Sequence, residues 1–335
     1  MTNDIRRVSS QSAMNLRQVL RDALQQLTAA QVPSASTTAE VLLMHVLERD
    51  RTFLYAYPEA ELSVEQERAY RHLLRQRAAG HPTQYLTCRQ EFWGLPLHVE
   101  PGVFIPRPET EHVVEVALQI VRERMSKADA RIVDVGTGTG CIALALAKEL
   151  PEAHITAVDV SEDALRLARH NAEALGLAQR VQFLHSDLLE VFTSHGLALF
   201  IPSAVEGSEA EGNGVEGSRA CPERSRGITS HDSRPFDLIV SNPPYVSPDQ
   251  AAQLPREVRE HEPPAALFSP GDGLEVTRRL IDQAQQLLVP SGALVLELGY
   301  NMAARARSLL GDVWTNIEIT NDLRGIPRVL AAQRK

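Results

Sequence analysis

The first part of the chain has a helical pattern of apolar and polar positions. Four leucines recur at steps of three and four residues, and they are Leu16, Leu20, Leu24 and Leu27. This spacing places them on one face of a helix. Thr37 with Glu40, and Ser63 with Gln66, fit the capping boxes that begin helices. We therefore predict a small helical bundle over residues 12–88, which has no catalytic cluster of its own and serves packing and recognition.

A different pattern occupies residues 89–109. Its apolar residues partly alternate with polar ones, and they are Phe92, Trp93, Leu95, Leu97 and Val99. Alternation is typical of strands, and Gly94 separates two short runs in the way that a turn residue does. The pattern predicts a β-hairpin that links two domains.

From residue 110 to residue 335, short β-rich runs alternate with helical ones. The predicted strands are 132–135, 155–158, 181–184, 238–240 and 294–298, with closing strands near Ile317 and Val329. Helices are predicted at 142–150 and 164–175. This alternation favours a mostly parallel sheet with helices on both faces. Residues 194–234, by contrast, are rich in Gly, Ser and Glu and have little periodicity, which predicts a disordered surface insertion.

Composition narrows the class of protein. The 335 residues are 43% hydrophobic and 23% charged, which is ordinary for a globular protein of two domains. The net charge of -9 disfavours a protein that grips duplex DNA, because such binding needs a basic face. Cys88, Cys141 and Cys221 lack the spacing of metal ligands, and the chain has neither a signal-peptide core nor an apolar run of ~20 residues. We expect a cytoplasmic protein with no metal site, no direct nucleic-acid partner and no membrane association.

A glycine-rich loop follows the predicted strand that ends at Val135. It reads Gly136-Thr137-Gly138-Thr139-Gly140 and precedes a predicted helix. Glycines at this position let backbone N–H groups approach a ligand at the helix N-terminus. The loop fits NAD, FAD or S-adenosylmethionine, although the dinucleotide fingerprint has a further glycine that this sequence lacks.

Two acidic residues follow the next two predicted strands. Asp159 lies about twenty residues after the glycine loop, where a carboxylate accepts both hydroxyls of a ribose. This position suits NAD and S-adenosylmethionine equally, and the residue also fits the N-terminal acid of the next helix. Asp187 lies where an acid meets an adenine amino group, and it equally fits a loop-capping aspartate.

The predicted strand at 238–240 ends in a tetrapeptide whose residue types indicate a chemistry. Asn242-Pro243-Pro244-Tyr245 follows Ser241 at the edge of the sheet where open α/β folds bind ligands. An amide nitrogen is a poor nucleophile, and two acceptors, the Asn242 side-chain oxygen and the Pro243 carbonyl, can hold its two N–H groups toward a methyl sulfonium. The two prolines fix the backbone, and Tyr245 offers a flat face to the amide plane. No general base is required, because the proton can leave after methyl transfer.

The tetrapeptide alone also fits the N6-adenine DNA methyltransferases, so more of the chain is needed to decide. The segments 104–111, 134–140 and 241–246 together closely resemble the PrmC/HemK family of glutamine-N5 methyltransferases. The likeness extends to 262–267 and 272–274 and covers nearly the whole chain. A sister group methylates a ribosomal-protein glutamine and has Ser-Pro after Pro-Arg. This chain reads Pro106-Arg107-Pro108-Glu109, which favours the branch that acts on release factors.

The resemblance implies a fold and a cofactor. It implies an α/β class I S-adenosylmethionine-dependent methyltransferase, Rossmann-like with a mostly parallel seven-stranded sheet, joined by the β-hairpin to the small N-terminal helical bundle domain. The cofactor implied is S-adenosyl-L-methionine, contacted by Gly136 to Gly140, Asp159 and Asn242. Family members often carry an aromatic residue after the acid that matches Asp187, so Leu188 is expected to pack on adenine as an aliphatic side chain. Many also have glycine where this chain has Cys88.

The resemblance also implies a substrate. It is the glutamine of the Gly-Gly-Gln loop in class 1 peptide chain release factors, contacted by Asn242 to Tyr245 and held with help from the helical domain. A monomeric protein-(glutamine-N5) methyltransferase is therefore expected.

Overall fold

The computed structural model describes residues 14–125, 129–194 and 236–335. Almost all of the predicted insertion at 194–234 lies outside these residues, as do Cys221 and the first residues of the predicted helical domain. Within the described ranges, no helix is both long and apolar enough to cross a membrane.

The N-terminal region is a packed group of helices. They are α1 (Leu16–Ala29), α2 (Ala35–Leu47), α3 (Arg51–Ala56), α4 (Val64–Ala78) and α5 (Thr83–Thr87). The fully buried side chains at their centre include Leu16, Leu27, Leu42, Leu43 and Tyr70. The Tyr70 hydroxyl donates to the Ala39 carbonyl at 2.9 Å, which pairs the one polar atom of that ring in the core.

One of the two predicted capping boxes is confirmed and the other is wrong. The Ser63 hydroxyl accepts the Gln66 N–H, and the Gln66 side chain accepts the Ser63 N–H, at the start of α4. Thr37, in contrast, lies inside α2, because that helix begins earlier, where the Ser34 carbonyl accepts the Thr38 N–H at 3.0 Å.

The predicted leucine stripe of α1 also needs a correction. Leu16 and Leu27 are buried, but Leu24 is 41% exposed. The buried face of the helix instead includes Val19 and Ala23, which belong to the same hydrophobic cluster as buried side chains of α2 and α4. The helix itself begins with a capping box that the sequence reading missed.

The predicted hairpin is present between the helices and the sheet. Strands β1 (Arg89–Phe92) and β2 (Leu95–His98) are antiparallel, and Trp93 and Gly94 form the turn with φ of 54° and 64°. Positive φ at both central residues is the geometry of the tight hairpin turn that matches strand twist. The proposed division into residues 12–88, 89–109 and 110–335 remains a prediction.

The second part of the described chain is a sheet covered by helices. Its strands are β3 (Arg131–Val135), β4 (His154–Asp159), β5 (Val181–His185), β6 (Phe236–Ser241), β7 (Leu288–Glu297), β8 (Trp314–Asn321) and β9 (Pro327–Arg334). Among the described residues these seven strands have the order β5-β4-β3-β6-β7-β9-β8. The first five are parallel, and β9 is antiparallel to both β7 and β8.

Helices cover both faces of this sheet. The helices of this part are α6 (Glu111–Arg124), α7 (Cys141–Glu149), α8 (Glu162–Ala174), α9 (Glu190–Ser194), α10 (Arg256–His261), α11 (Pro264–Leu267), α12 (Glu275–Leu287) and α13 (Ala303–Ser308). Of these, α6, α7, α8, α12 and α13 pack on the strands. Two hydrophobic clusters result, since alternate strand residues point to opposite faces. Ile132 belongs to one cluster and Val133 to the other. Strands buried on both faces explain why the sequence shows apolar runs there rather than alternation.

The strand order reverses between β3 and β6. The chain moves outward from β3 to β4 and β5, and then returns to β6 on the other side of β3. Open α/β sheets bind ligands in the crevice at such a reversal, beyond the carboxyl ends of the two strands. Here those ends are Val135, before the glycine loop, and Ser241, before Asn242.

Candidate active site

A cavity of about 470 Å³ opens at the carboxyl edge of the sheet, above β3 and β6. The predicted site residues that line it are Gly136, Thr137, Gly138, Thr139, Asp159, Asp187, Leu188, Asn242, Pro243, Pro244 and Tyr245. Its volume lies in the range of cofactor and substrate pockets. The structure therefore brings together every predicted site residue except Gly140.

The glycines of the loop have two different roles. Gly136 and Gly138 have φ of 72° and 56°, and a Cβ on either would meet no atom within 4 Å. Gly140 has φ of 85°, and a Cβ there would lie 3.1 Å from Leu144 Cδ1 and 3.2 Å from Ala168 Cβ. The first two glycines leave open space on the cavity side of the loop, whereas Gly140 permits close packing of helices α7 and α8. This explains why Gly140 is absent from the cavity wall.

Buried polar contacts hold the loop in place. The Thr137 hydroxyl donates to Asp134 Oδ2 at 2.7 Å, and the same oxygen accepts the Ala143 N–H at 3.1 Å. Burial raises the pKa of Asp134 to about 7, and these two hydrogen bonds oppose that rise. The Asn171 amide donates to the carbonyls of Thr139 and His98, each at 3.0 Å, which ties the loop to the hairpin.

Asp159 ends β4 and faces the glycine loop. Its Oδ2 accepts the Gly138 N–H at 2.9 Å, and its Oδ1 accepts the Ser161 N–H at 2.9 Å. Burial raises the pKa of Asp159, and the backbone N–H groups counter this by stabilising the charge. Each carboxylate oxygen has a second lone pair, so both can also accept a hydroxyl. A ribose diol beside the open face of Gly138 fits this arrangement.

Asp187 and Leu188 lie further along the cavity wall. Asp187 is exposed, and its Oδ2 accepts from the Arg279 guanidinium at 2.7 Å. Arg279 also pairs with Glu190 at 3.2 Å. Leu188 is half-buried and has a left-handed backbone with φ of 52°. The acid at this position is thus already held by a cation, a contact that spacing in the sequence cannot reveal.

The tetrapeptide after β6 contacts two side chains that the sequence reading did not assign to the site. Asn242 Nδ2 donates to Thr110 Oγ1 at 3.1 Å. The Tyr245 hydroxyl donates to Glu297 Oε1 at 3.3 Å. Thr110 and Glu297 are only 1% and 2% exposed. The sequence feature that could have pointed to Glu297 is an acidic residue at the end of a predicted apolar strand.

The segment that precedes α6 forms another wall of the cavity. Phe104, Arg107 and Thr110 line it, and the Arg107 guanidinium lies 4.8 Å from the centre of the Phe104 ring. Arg107 also pairs with Glu262, a buried carboxylate that directly follows α10. Burial raises the pKa of Glu262, and Arg107 lowers it. This ion pair joins two of the segments that carry the family resemblance.

No group of three or more metal-ligating side chains occurs in the described parts of the chain. Cys88 is exposed and Cys141 is buried, and neither forms a disulfide. Cys88 takes a left-handed backbone with φ of 56° at the start of the hairpin. Glycine adopts this conformation without strain, which accounts for the glycine expected there.

The strand order, the glycine loop and the cavity define a class I S-adenosylmethionine-dependent methyltransferase. The open space at Gly136 and Gly138 lets this cofactor approach the backbone of the loop. The Asp159 carboxylate, beside Gly138, can accept the hydroxyls of its ribose. Two family models match the chain, the PrmC N-terminal domain over residues 18–87 and the methyltransferase small domain over residues 94–203. Both the predicted fold class and the predicted cofactor are confirmed.

Curated relatives extend the match over nearly the full chain. A release factor glutamine methyltransferase of Koribacter versatilis is 38% identical and covers 96% of this chain and 99% of its own. Relatives of the same name from Chlorobaculum tepidum and Salmonella typhimurium are 37% and 35% identical, covering 88% and 94% of this chain and 88% and 98% of theirs. The chain belongs to the release factor glutamine methyltransferase family.

Proposed function

We propose that this chain methylates the side-chain amide nitrogen of the glutamine in the Gly-Gly-Gln loop of class 1 peptide chain release factors. The observation that carries the proposal is the placement of Asn242 beside the cofactor cavity, with its Nδ2 occupied by Thr110. The names of the curated relatives support the substrate.

The chemistry assigns roles to the residues at the end of β6. When bound, S-adenosylmethionine would supply an electrophilic sulfonium methyl group to the amide nitrogen and would leave as S-adenosylhomocysteine. Asn242 Oδ1 and the Pro243 carbonyl accept the two amide N–H groups and hold the nitrogen in line. Tyr245 packs against the amide plane. The surplus proton passes to water, so the chain needs no general base.

The other predicted contacts concern the cofactor. Gly136 to Gly140 shape its binding loop, Asp159 accepts the ribose hydroxyls, and Asp187 with Leu188 meets the adenine. The half-buried Leu188 side chain supports an aliphatic contact with the ring. The Arg279 ion pair uses Asp187 Oδ2, which leaves Oδ1 as the acceptor for the adenine amino group.

The helical domain is proposed to help hold the release factor. Arg77 of α4 pairs with Glu257 of α10 at 2.5 Å, and the ring of His81, just after α4, lies 4.2 Å from the ring of His261. Val258 of the same α10 lines the cavity. A protein bound across this contact would reach the cavity mouth. We propose a monomer that acts on protein rather than nucleic acid, in the cytoplasm where translation terminates.

Mass spectrometry of the release-factor loop tests this function. The purified chain is incubated with S-adenosylmethionine and a class 1 release factor, and the tryptic loop peptide is then fragmented. The expected result is one added methyl group on the glutamine. A release factor with alanine in place of that glutamine is the matched control and should gain none. Duplex DNA and ribosomal proteins are tested in parallel, and label in either one alone contradicts the proposal.

A further inference from the structure

The ring of Tyr245 lies between the cavity and the protein interior. It lines the cavity, and it packs against the hydrophobic cluster on one face of the sheet. Its hydroxyl donates to Oε1 of Glu297, the last residue of β7, at 3.3 Å. One edge of the ring has another neighbour, Gly299, which lies two residues after Glu297. Two residues at the end of β7 therefore contact the same ring.

Gly299 leaves the space that this edge of the ring occupies. A Cβ on Gly299 would lie 2.7 Å from Tyr245 Cδ2 and 3.2 Å from Tyr245 Cε2. Non-bonded carbon atoms normally lie about 3.5–4.0 Å apart, so no side chain fits at this position beside the ring. The φ of Gly299 lies outside the left-handed range. The close approach of the ring, rather than the backbone conformation, therefore accounts for glycine here.

Hydrogen bonds hold the backbone on either side of Gly299. The Leu298 N–H donates to the Arg328 carbonyl at 2.7 Å, which continues the pairing of β7 with β9 beyond Glu297. The Gly299 carbonyl accepts the Met302 N–H at 3.2 Å. A side chain at position 299 could not be accommodated by a shift of its own backbone without strain on these hydrogen bonds.

The backbone of Tyr245 is held as closely. The next residue, Val246, donates its N–H to the Leu267 carbonyl, and its own carbonyl accepts the Ser269 N–H, both at 2.9 Å. A Cβ on Gly273 would lie 2.7 Å from the Tyr245 carbonyl oxygen, so a second glycine permits close packing on this backbone. Because the backbone and the hydroxyl are both held, the position of the ring depends on the space beside its edge.

We propose that Gly299 is a positioning residue that sets the place of the Tyr245 ring and thereby the width of the slot for the substrate amide. This inference rests on the proposed function, because Tyr245 is the residue proposed to pack against the amide plane. Gly299 does not line the cavity. It acts through the ring.

An alanine at position 299 would move the ring toward the cavity. The hydrophobic cluster lies on the other side of the ring, so the cavity is the side on which it can yield. An increase of the 2.7 Å contact to an ordinary distance requires a shift of about 1 Å. A shift of this size is a large part of the roughly 3.5 Å between two packed planar groups, and misplacement by about 1 Å can cost about 10²-fold in rate.

Steady-state kinetics of Gly299→Ala test this role. We expect kcat to fall roughly 10–100-fold, with a smaller change in KM for the release factor, because the loss falls on the geometry of the bound amide. Cofactor affinity by calorimetry should stay within about threefold of wild type, since the glycine loop and Asp159 are unchanged. Gly311→Ala is the matched control. A Cβ at this exposed glycine would meet no atom within 4 Å, so wild-type kinetics are expected.

A double-mutant cycle shows whether Gly299 acts through Tyr245. In a Tyr245→Ala background the ring is absent, so Gly299→Ala should change the remaining kcat by less than about threefold. A packing defect elsewhere would lower kcat by the same factor in both backgrounds. Equal losses would therefore contradict the inference.

Met302 is the other residue that a methyl group at position 299 would meet, with its Sδ at 2.7 Å. The kinetics are therefore repeated with Met302→Ala, which leaves the Tyr245 ring as the nearest neighbour of the new methyl group. We expect Gly299→Ala to lower kcat by the same factor in this background as in the wild type. If Gly299→Ala leaves the kcat of Met302→Ala unchanged, the effect belongs to Met302 and the inference is wrong.

Failure of the inference and failure of the proposed function give different results. Wild-type kcat for Gly299→Ala, with the release factor methylated normally by both proteins, contradicts the positioning role alone. A wild-type protein that binds the cofactor and leaves the release factor unmethylated contradicts the proposed function, and the positioning role with it.

Discussion

Val135 and Ser241 are paired neighbours at the carboxyl ends of β3 and β6, and the Ser241 hydroxyl donates to the Val135 carbonyl at 2.7 Å. Gly136 follows the first residue and Asn242 follows the second. Because parallel strands end at the same edge, this pairing places the glycine loop and the Asn242-Pro243-Pro244-Tyr245 segment side by side. Two motifs more than a hundred residues apart in sequence thus form one site.

The strongest activity effect is expected from Asn242→Ala. Removal of the acceptor oxygen should lower kcat by ~10²–10³, because the side chain acts where the amide nitrogen becomes reactive. Calorimetry should show cofactor affinity within about tenfold of wild type, since the glycine loop and Asp159 remain. Near-normal turnover of this variant would contradict the proposed role of Asn242.

The two kinds of glycine in the loop should respond differently to alanine. Gly140→Ala places a methyl group 3.1 Å from Leu144 at a φ of 85°, so a loss of about 1–3 kcal/mol in the free energy of unfolding is expected. Gly138→Ala carries a backbone penalty no larger than that of Gly140→Ala, but its methyl group enters open cavity space. It should weaken cofactor binding more than it weakens folding. Denaturant unfolding and calorimetry on both variants provide the comparison, and identical effects would contradict the two roles.

Asn171 is expected to be the main link between the hairpin and the glycine loop. It is 1% exposed, accepts the His98 N–H at 2.7 Å and donates to the carbonyls of His98 and Thr139. Asn171→Ala leaves these buried groups without partners, which should cost about 2–4 kcal/mol of folding stability. Asn321→Ala, at an exposed asparagine that ends β8, is the control and should cost less than about 1 kcal/mol. Equal losses in the two variants would show that Asn171 is not a special link.

The buried Glu297 carboxylate should make folding stability depend on pH. Burial raises the pKa of this carboxyl to about 7 in the folded state, whereas its ordinary pKa in an unfolded chain is 4.5. Between these values the folded state holds more protons than the unfolded state, so stability is lost as pH rises from about 4.5 to about 7. Glu297→Gln removes this loss. Relative to wild type, the variant should therefore gain on the order of 1–3 kcal/mol between acid and alkaline pH.

Denaturant unfolding of both proteins at acid and alkaline pH measures this gain. A stability difference that stays constant with pH would show that Glu297 does not titrate in this range.

Local rules predicted much of this fold. The parallel strands, the hairpin and the Ser63 capping box follow from spacing and turn residues within a few positions. Thr37 shows the limit of such local rules. The sequence around it fits a capping box, but the helix begins earlier, at Ala35. The exposure of Leu24 shows it again, since neighbouring helices decide which face of α1 is buried.

Much of the site could also be predicted from the sequence, because its residues lie in short local motifs. The loop glycines, Asp159 and the tetrapeptide lie in short motifs, and the structure places all but Gly140 on the cavity wall. Asn242 and Thr110 meet across 132 positions of sequence, so no local pattern could pair them. The contact between Arg279 and Asp187 also joins residues that are distant in sequence, so no local pattern predicts it.

The most direct test is a crystal structure of this chain with S-adenosylhomocysteine and a Gly-Gly-Gln peptide from a release factor. We expect the glutamine Nε2 to lie about 3 Å from both Asn242 Oδ1 and the Pro243 carbonyl, with the cofactor sulfur in line behind it. A glutamine bound elsewhere, or a cofactor whose sulfur is remote from the end of β6, would contradict the central claim.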